Sequence, residues 1–408
     1  MKGACVILQS GGPTCVINAS LYGVIKQAQQ EENITNVYGS LNGIEGLIND
    51  NLIDLDLEAS EEIEYLKTTP SAILGSSRYK LPKSFNDETY GKIFNVFKKH
   101  NIRYFFLIGG NDSMDTANKM AQYFADSDYE CNIMGVPKTV DNDLIVTDHT
   151  PGYGSAIKYV ANVCSEIAID VECYKTGKVT IIEIMGRDAG WLTAGSKLAS
   201  LTGHGPDLIY VPEVRFDVED FLSKVKEIYD RKHNAIVCIS EGIRDENGDY
   251  ILNTLGKETT SDTFGHAYLG GVAAALANEV SKRLNLPTRG IELNIPQRCA
   301  SHIASLTDIN EAIYCGKEAV KRAVLGLTGH MIIMNRVSSN PYEISFESKD
   351  LHEIANQVKY FPVEWVKGDC DITDDFINYA LPLISGEPCY EFINGLSRFT
   401  KLAKHKVK

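Results

Sequence analysis

The sequence predicts an α/β protein with two units, each a mainly parallel sheet covered by helices on both faces. Short apolar runs alternate with helical patterns along most of the 408 residues. One helical pattern between successive strands implies crossover connections, which parallel strands need. A chain of this length exceeds one compact core, so two domains are expected. In such sheets ligands bind at the carboxyl ends of the strands, so the loops there are the candidate functional segments.

The first 145 residues are predicted to form the first of these sheets. Asn18 and Ser20 are candidates to cap the first helix, because their side chains can accept backbone hydrogen bonds. A glycine-rich loop is expected after the strand at the start of NVYGSLNGIEGL. The other predicted strands are ACVILQ, RYFFLIGG and CNIMGVP, and the predicted helices are NASLYGVIKQAQQ, YGKIFNVFKKHN and NDSMDTANKMAQYFAD.

Alternating patterns continue from Pro151 onward and predict a second sheet. The strands predicted for it are KVTIIEIMG, PDLIYVPE and NAIVCISEG, and one more strand, GHMIIMNR, is predicted towards the end of the chain. The predicted helices are SAIKYVANVCSEIAIDV, DAGWLTAGSKLAS, VEDFLSKVKEIYDRK, a helix within SDTFGHAYLGGVAAALANEVSKRLNL, and DDFINYALPLI.

The composition predicts a soluble cytoplasmic protein. Hydrophobic residues make up 44% and charged residues 23% of the chain, which is ordinary for a globular protein. The net charge of -14 disfavours nucleic acid and anionic membranes as partners, because both would repel it. No apolar run reaches the roughly 18 residues of a membrane helix, and the start lacks a signal-peptide pattern. The ten cysteines contain no C-x-x-C pair, so free buried thiols are expected.

Three glycine-bearing loops are expected at strand ends and predict a phosphate site. They are SGGPTC at 10–15, LGSSR at 74–78 and IGGNDSMD at 108–115. Glycine lets the backbone approach a phosphate closely, and N–H groups in the first turn of a following helix point at the anion. A single Gly-Gly pair is more often only a tight turn, but three such loops favour a shared site. Neither the G-x-x-x-x-G-K-[ST] nor the G-x-G-x-x-G pattern occurs, so neither a P-loop nor a dinucleotide is indicated.

Three aspartates, Asp112, Asp141 and Asp143, are predicted beside this phosphate site. Carboxylates repel phosphate unless a divalent metal bridges them or one of them acts as a general base. Helix capping and turn closure are the structural alternatives. Asp143 fits either interpretation, whereas Asp141 fits catalysis better. Lys138 adds a cation at the rim of this cluster.

Seven motifs together resemble those of the phosphofructokinase family. They are SGG, LGSSR, GGNDS, PKTVDND, MGRDAGW, SEG and RGIELNIPQR, in the family's order over roughly residues 5–300. MGR combined with T-x-D-N-D is a specific signature. The resemblance implies two doubly wound Rossmann-like domains with the active site in the cleft between them. It assigns residues 1–152 with about 297–345 to the phosphoryl donor, and about 153–296 with about 346–408 to fructose 6-phosphate.

The resemblance implies phosphoryl transfer to the 1-hydroxyl of fructose 6-phosphate. Asp141 matches the general base that takes the proton from that hydroxyl. Arg289 and Arg298 match cations on the 6-phosphate, one of them from a neighbouring subunit, which implies a homodimer or homotetramer with shared active sites. The catalytic residues implied are Asp112, Lys138, Asp141 and Arg187; the substrate-binding residues are Thr139, Asp141, Asp143, Lys178, Met185, Gly186, Arg187, Glu241, Arg289 and Arg298; the donor-binding residues are Gly12, Arg78 and Lys138.

Asp112 and Lys138 indicate pyrophosphate as the phosphoryl donor. In the most familiar ATP-dependent members both positions are glycine, whereas the pyrophosphate-dependent branch has aspartate and lysine, as here. The two side chains would fill the space of a nucleotide's α-phosphate and ribose, and Lys138 would offset charge on the transferred and leaving phosphates. Lysine without the aspartate also occurs in ATP-using relatives, so an ATP-dependent phosphofructokinase is the alternative.

Three positions depart from the family pattern. The usual metal-binding aspartate is Asn111, so Mg²⁺ is expected to rely on Asn111 with Asp112, or on oxygens of the substrate. The arginine seven residues before MGR is Lys178, which keeps the charge but loses the guanidinium fork. The family's histidine is Ile295, so one phosphate contact is lost or supplied elsewhere, for which His302 is a candidate.

Two other classes stay open. A related kinase of another alcohol is disfavoured by PKTVDND together with MGR and PQR, and a non-catalytic phosphosugar sensor is disfavoured because Asp141 is retained. Leu21 and Ile25 stand where regulated relatives have effector-binding arginines. Weak or absent regulation by nucleotides is therefore expected.

Overall fold

The computed structural model describes residues 1–256 and 270–408, and these residues form two large sheets and two short hairpins. The strands are β1 (Gly3–Gln9), β2 (Ile34–Ser40), β3 (Leu52–Asp54), β4 (Ile102–Gly109), β5 (Asn132–Pro137), β6 (Val179–Ile184), β7 (Leu208–Tyr210), β8 (Ala235–Ser240), β9 (Thr288–Glu292), β10 (His330–Ser339), β11 (Tyr342–Asp350), β12 (Val366–Lys367), β13 (Asp371–Ile372), β14 (Phe392–Ile393) and β15 (Leu396–Ser397). The α-helices are α1 (Ile17–Ala28), α2 (Gly43–Ile48), α3 (Ser60–Glu64), α4 (Glu88–Lys99), α5 (Asn111–Ala125), α6 (Tyr153–Glu172), α7 (Trp191–Ala194), α8 (Val218–Lys232), α9 (Ile251–Thr254), α10 (Val272–Leu284), α11 (Pro296–Cys299), α12 (Leu306–Val324) and α13 (Asp374–Ala380).

The first sheet has seven strands in the order β11-β10-β5-β4-β1-β2-β3. The five inner strands run parallel, whereas the edge strands β3 and β11 are antiparallel to their neighbours. Alternate residues of β1 face opposite sides, so Ala4, Val6 and Leu8 pack into one apolar core and Cys5 and Ile7 into the other. Burial on both faces is why ACVILQ and RYFFLI are continuous apolar runs.

The second sheet has four parallel strands in the order β7-β8-β6-β9. Its central strand β6 also serves two cores. Val179 and Ile181 pack with residues of α8 and α10, while Ile182 and Ile184 pack with α6 and with Phe361 near the C-terminus. The predicted fold class, parallel sheets with helices on both faces, is thereby confirmed.

The start of α1 differs from the prediction. Val16 precedes the helix and makes no side-chain cap, and Asn18 and Ser20 lie buried within it. The Asn18 side chain donates to the carbonyl of Thr69 at 2.9 Å and accepts from Gln9 Nε2 at 2.8 Å. Its amide therefore ties the helix to a neighbouring loop and to the end of β1.

Other local predictions also need correction. The short helix α2 follows β2, where only a glycine-rich loop was expected, and DAGWLTAGSKLAS forms the short α7 followed by a 3₁₀ segment, Gly195–Thr202.

The loop 74–78 does not follow a strand. It lies beside the glycine loop at 10–15, and Gly11 N–H donates to the carbonyl of Ser77 at 3.3 Å. The first part of the helix predicted after Ser261, up to residue 269, lies outside the described residues.

Helix α12 is absent from the sequence-based prediction. Ser305 caps it by accepting a hydrogen bond from the Asp308 N–H, and its buried face packs closely on α1. It covers one face of the first sheet.

The ends of the chain bear on the predicted domain boundaries. Strand β11 continues in the first sheet to Asp350, beyond the boundary at about 345. Near the C-terminus, Val407 N–H donates to the carbonyl of Leu52 at the edge of the same sheet. We therefore propose that the later part of the first domain runs from about 297 to 350, and that residues about 400–408 also belong with the first sheet. Among the described residues, no helix combines the length and the apolar character that crossing a bilayer requires.

Candidate active site

A cleft of about 740 Å³ lies at the carboxyl ends of both sheets. Loops after β1, β4 and β5 form one wall, and loops after β6 and β8 with helix α11 form the other. Lys178, Arg289 and the candidate His302 do not line it, whereas the other residues predicted from the sequence do: Gly12, Arg78, Asn111, Asp112, Lys138, Thr139, Asp141, Asp143, Met185, Gly186, Arg187, Glu241 and Arg298.

Strand pairing brings the glycine loops together. Gly109 at the end of β4 pairs with Pro137 at the end of β5, and Lys138 N–H donates to the Gly109 carbonyl at 3.0 Å. Helix α5 begins at Asn111, so its unpaired N–H groups lie at the cleft. A Cβ on Gly12 would stand 3.3 Å from Arg298 Nη1, so the bare backbone there leaves room beside a cation.

Lys138 spans the donor end of the cleft. It is only 2% exposed, and its Nζ donates to the carbonyl of Gly12 at 2.7 Å. Burial lowers the pKa of Lys138 to about 8, although Asp141 and Asp143 oppose that shift. Burial removes most of the water around the ammonium group, which is unfavourable for a charge. An anionic ligand would compensate for that loss.

Asp141 and Asp143 are half-buried side chains in the wall of the cleft. Burial raises the pKa of Asp141, against the opposing charges of Lys138 and Arg187. Burial and the neighbouring Asp141 raise the pKa of Asp143 to about 7. Thr139 Oγ1 stands 3.4 Å from Asp141 Oδ2 and accepts from the Asp141 N–H at 3.1 Å. The cations next to Asp141 favour its ionised form, which a general base requires.

The turn after β6 faces these aspartates across the cleft. Gly186 adopts a φ of +142°, in the region that favours glycine, and its N–H donates to Glu241 Oε1 at 3.3 Å. Burial raises the pKa of Glu241 to about 7. Arg187 is held by Asp188, with Nε donating at 2.7 Å. A carboxylate and a guanidinium thus sit ready to contact hydroxyl and phosphoryl oxygens.

Arg298 supplies a donor whose partner is missing. Its Nε is buried and has no hydrogen-bond partner among the described residues. Burial lowers the pKa of Arg298, and Arg78 contributes to the shift. A buried unpaired donor between like charges is costly. The arrangement fits an anion bound between Arg298, Arg78 and Lys138.

Two cleft residues with structural roles were not predicted. Gln297 Oε1 accepts from the Met185 N–H at 3.2 Å, and Asp188 also binds Arg244 at 3.1 Å. Gln297 lies inside the PQR motif and Asp188 directly follows MGR. Their positions in these motifs could therefore have indicated that both residues lie at the cleft.

The described residues offer few groups that could hold a metal ion in the cleft. In residues 1–256 and 270–408, no group of three His, Cys, Asp or Glu side chains is placed to hold a metal ion. Asp112 Oδ1 stands 3.4 Å from Lys80 Nζ, and the Asn111 side-chain oxygen accepts from the Asn356 N–H at 2.7 Å. This fits Mg²⁺ bound by one carboxylate together with substrate phosphates and waters, as Mg²⁺ commonly is.

Lys178 and Arg289 lie outside the cleft of their own chain. Lys178 immediately precedes β6, and Arg289 pairs with Thr180 at the amino end of the parallel strands. Both are exposed. Arg289 lines a separate surface groove with Glu166 and Asp170. A single chain therefore cannot bring these two cations to the carboxyl end of the sheet.

Comparisons with known proteins agree with this geometry. Residues 4–291 match the family model described as Phosphofructokinase. The chain is 39% identical to a pyrophosphate–fructose 6-phosphate 1-phosphotransferase of Halomonas elongata, over 98% of this chain and 96% of the relative. It is 32% identical to a sulfofructose kinase of Alkalicoccus urumqiensis, over 82% of this chain and 84% of the relative. A crystal structure of a pyrophosphate-dependent phosphofructokinase from Marinobacter aquaeolei superposes with a TM-score of 0.90 at 38% identity, covering 100% of this chain and 98% of that one.

Proposed function

The chain belongs to the phosphofructokinase family, and on that premise we propose that it is a cytoplasmic enzyme that transfers a phosphoryl group reversibly from pyrophosphate to fructose 6-phosphate. The products are fructose 1,6-bisphosphate and phosphate. The observation that carries the proposal is the buried Lys138, whose ammonium group crosses the donor end of the cleft to Gly12. Relatives named for this reaction, matched over nearly their whole length, support it.

Donor selection follows from the space that Lys138 and Asp112 occupy. Both side chains line the cleft beside the loop after β1. The lysine bridges two loops where a longer polyphosphate would need to pass, and its charge suits a short, highly charged donor. An ATP-dependent enzyme is the less supported alternative, since the relatives matched at high coverage carry pyrophosphate in their names.

The proposed reaction step transfers one proton and one phosphoryl group. Asp141 takes the proton of the sugar's 1-hydroxyl as its oxygen attacks the terminal phosphorus of pyrophosphate. The bond from that phosphorus to the bridging oxygen breaks, and inorganic phosphate leaves with the bridging oxygen. Lys138, Arg187 and the N–H groups at the start of α5 face the charge on the transferred and leaving groups. Run backward, Asp141 returns the proton.

Mg²⁺, where bound, would neutralise charge on the pyrophosphate oxygens. Asp112 would hold it, because its carboxylate lines the cleft at the start of α5. Asp143 and Thr139 would keep the Asp141 loop in register with the substrate.

Sugar recognition is divided between subunits in this proposal. Met185, Gly186, Glu241 and Arg298 would bind the sugar phosphate within one chain. Lys178 and Arg289 would complete the site of a neighbouring copy, because they point away from their own cleft. The working unit would therefore be a homodimer or a homotetramer.

A coupled assay tests this function directly. Purified protein is given fructose 6-phosphate and Mg²⁺ with either pyrophosphate or ATP, and fructose 1,6-bisphosphate is measured. We expect turnover with pyrophosphate and little with ATP. Turnover with ATP alone would support the alternative donor. Turnover of sulfofructose in place of fructose 6-phosphate would move the proposal to another acceptor.

A further inference from the structure

One stretch of chain near the C-terminus, residues 354–361, crosses from the first sheet to the second in front of the cleft; we call it the crossing segment. Its first residue, Ile354, is buried in the core of the first sheet, and its last, Phe361, in the core of the second. Between these anchors, Asn356 and Val358 line the cleft. The segment is thus part of the cleft wall and is held at both ends.

Asn111 holds the middle of the crossing segment with both ends of its amide. Its Nδ2 donates to the carbonyl of Gln357, and its Oδ1 accepts from the Asn356 N–H at 2.7 Å. The Asn356 side chain adds a bond to Asp115 Oδ1 at 3.2 Å. These bonds fasten the segment to the first turn of α5, beside Asp112.

The same segment also holds the loop that carries Asp141. Lys359 N–H donates to the carbonyl of Asp143 at 2.8 Å. Lys359 Nζ donates to Asn142 Oδ1 at 3.2 Å and to the carbonyl of Asp148 at 3.0 Å. The start of α5 and the Asp141 loop are therefore linked to each other through four consecutive residues, 356–359.

An amide suits residue 111 for a reason that metal binding does not explain. An aspartate could accept from Asn356 N–H, but it has no hydrogen to donate to the Gln357 carbonyl and would set acceptor against acceptor. A carboxylate would be the better ligand for Mg²⁺. The amide thus makes two contacts to the crossing segment, of which a carboxylate could make only one.

We propose that Asn111 is a positioning residue that anchors the crossing segment and, through it, fixes the donor-side wall between Asp112 and Asp141, and that it is not a metal ligand. This role rests on the proposed function for its kinetic consequence. Its structural part, the attachment of residues 356–359, stands without substrate.

The test compares Asn111→Asp with Asn118→Asp. Asn118 lies on the same helix two turns later, so the second variant makes the same chemical change away from the crossing segment. A carboxylate in the first turn of a helix is favourable, so Asn111→Asp is expected to fold. Hydrogen exchange of the substrate-free protein is followed at the amides of residues 356–359. The KM for pyrophosphate and the Mg²⁺ concentration for half-maximal rate are then measured.

We expect Asn111→Asp to speed exchange of these amides by about tenfold or more and to raise the KM for pyrophosphate by about fivefold, with a smaller effect on kcat. Asn118→Asp should match the wild type in both. Unchanged exchange would overturn the anchor role. Faster exchange with an unchanged KM would overturn the positioning role. If no donor were turned over, the proposed function would fail, while the exchange result would still decide whether Asn111 anchors the segment.

Discussion

Lys138 combines two opposing requirements in one residue: it must be charged to bind phosphate, yet its burial favours the neutral amine. Because its pKa is lowered to about 8, the protein should lose the ammonium as the pH rises past that value. Asp141 must be ionised, and its pKa is raised by burial. The profile of kcat/KM should therefore be bell-shaped, rising through the acid range and falling above about pH 8.

Lys138→Arg tests the alkaline side of this profile. A guanidinium stays charged in this range, so the fall near pH 8 should move to higher pH, even if the rate at neutral pH drops. The exposed Lys282 gives the control, Lys282→Arg, which should keep the wild-type profile. An unchanged alkaline limb in Lys138→Arg would assign that limb to another group.

Asp141→Asn tests the general base. The amide keeps the size and the contact to Thr139 but cannot take the proton, so kcat should fall by about 10²–10⁴-fold with the fold intact. Steady-state kinetics and thermal unfolding measure both. The control is Asp375→Asn on an exposed face, which should retain full activity. A kcat within tenfold of wild type would remove Asp141 from the proposed role.

At the residue scale, the sequence predicted much of the cleft and missed the anchor. Lys138 and Asp141 follow β5 and Arg187 follows β6, so the parallel strands place each at the carboxyl edge of its own sheet. That the two edges face one cleft was implied by the family resemblance. The partners of Asn111 lie about 245 positions away in the chain. No local pattern signals such a contact, and the family pattern alone favoured a metal ligand at that position.

At the scale of elements, His149 joins the loop after β5 to helix α12. It is buried, with Nδ1 2.8 Å from Asp148 and Nε2 2.7 Å from Glu311, and Tyr342 donates to Glu311 at 2.6 Å. Burial alone would lower the pKa of His149, but Glu311 and Asp148 outweigh it and raise the pKa to about 9. The charged imidazolium is therefore expected to contribute to the stability of the fold.

This pKa predicts how stability depends on pH. A histidine whose pKa is raised on folding stabilises the protein fully below its unfolded pKa, about 6.5, and loses that contribution as the pH rises through about 9. His149→Gln should therefore lower the free energy of unfolding by on the order of 2 kcal/mol at pH 6 and by less at pH 9.5. Urea unfolding at the two pH values measures this. An equal loss at both would mean that charge is not the cause.

Helices and strands were predicted best where a single hydrophobic periodicity dominates their sequence. β1 and β4 are buried on both faces and α4 and α5 have apolar residues on one face, so their patterns are strong. Helix α12 was missed although Ser305 caps it and its apolar spacing is regular. The loop 74–78 was misplaced, because Gly75 suggests a turn without indicating which element precedes it.

At the scale of the whole molecule, the exposed positions of Lys178 and Arg289 predict a shared site. Asp141→Asn and Arg289→Ala homo-oligomers should each be weak. When they are dissociated, mixed and reassembled, hybrids should regain activity, because one site then combines an intact Asp141 with an intact Arg289 from the other chain. Activity that never exceeds the sum of the two parents would contradict a shared site.

The parallel direction of most strands followed from the alternation of strands and helices, whereas the strand order and the placement of the chain ends did not. The antiparallel β11 and the return of residues near Val407 to β3 depend on contacts between distant segments. Such contacts leave little trace in local periodicity.

The most direct test of the central claim measures the ratio of kcat/KM for pyrophosphate to that for ATP, in the wild type and in the double variant Lys138→Gly, Asp112→Gly. Lys138 and Asp112 are proposed to admit the short donor and exclude the nucleotide. The wild type should therefore favour pyrophosphate strongly, and the variant should lose about tenfold or more of that preference. A wild type that prefers ATP, or a ratio that both substitutions leave unchanged, would contradict the proposal.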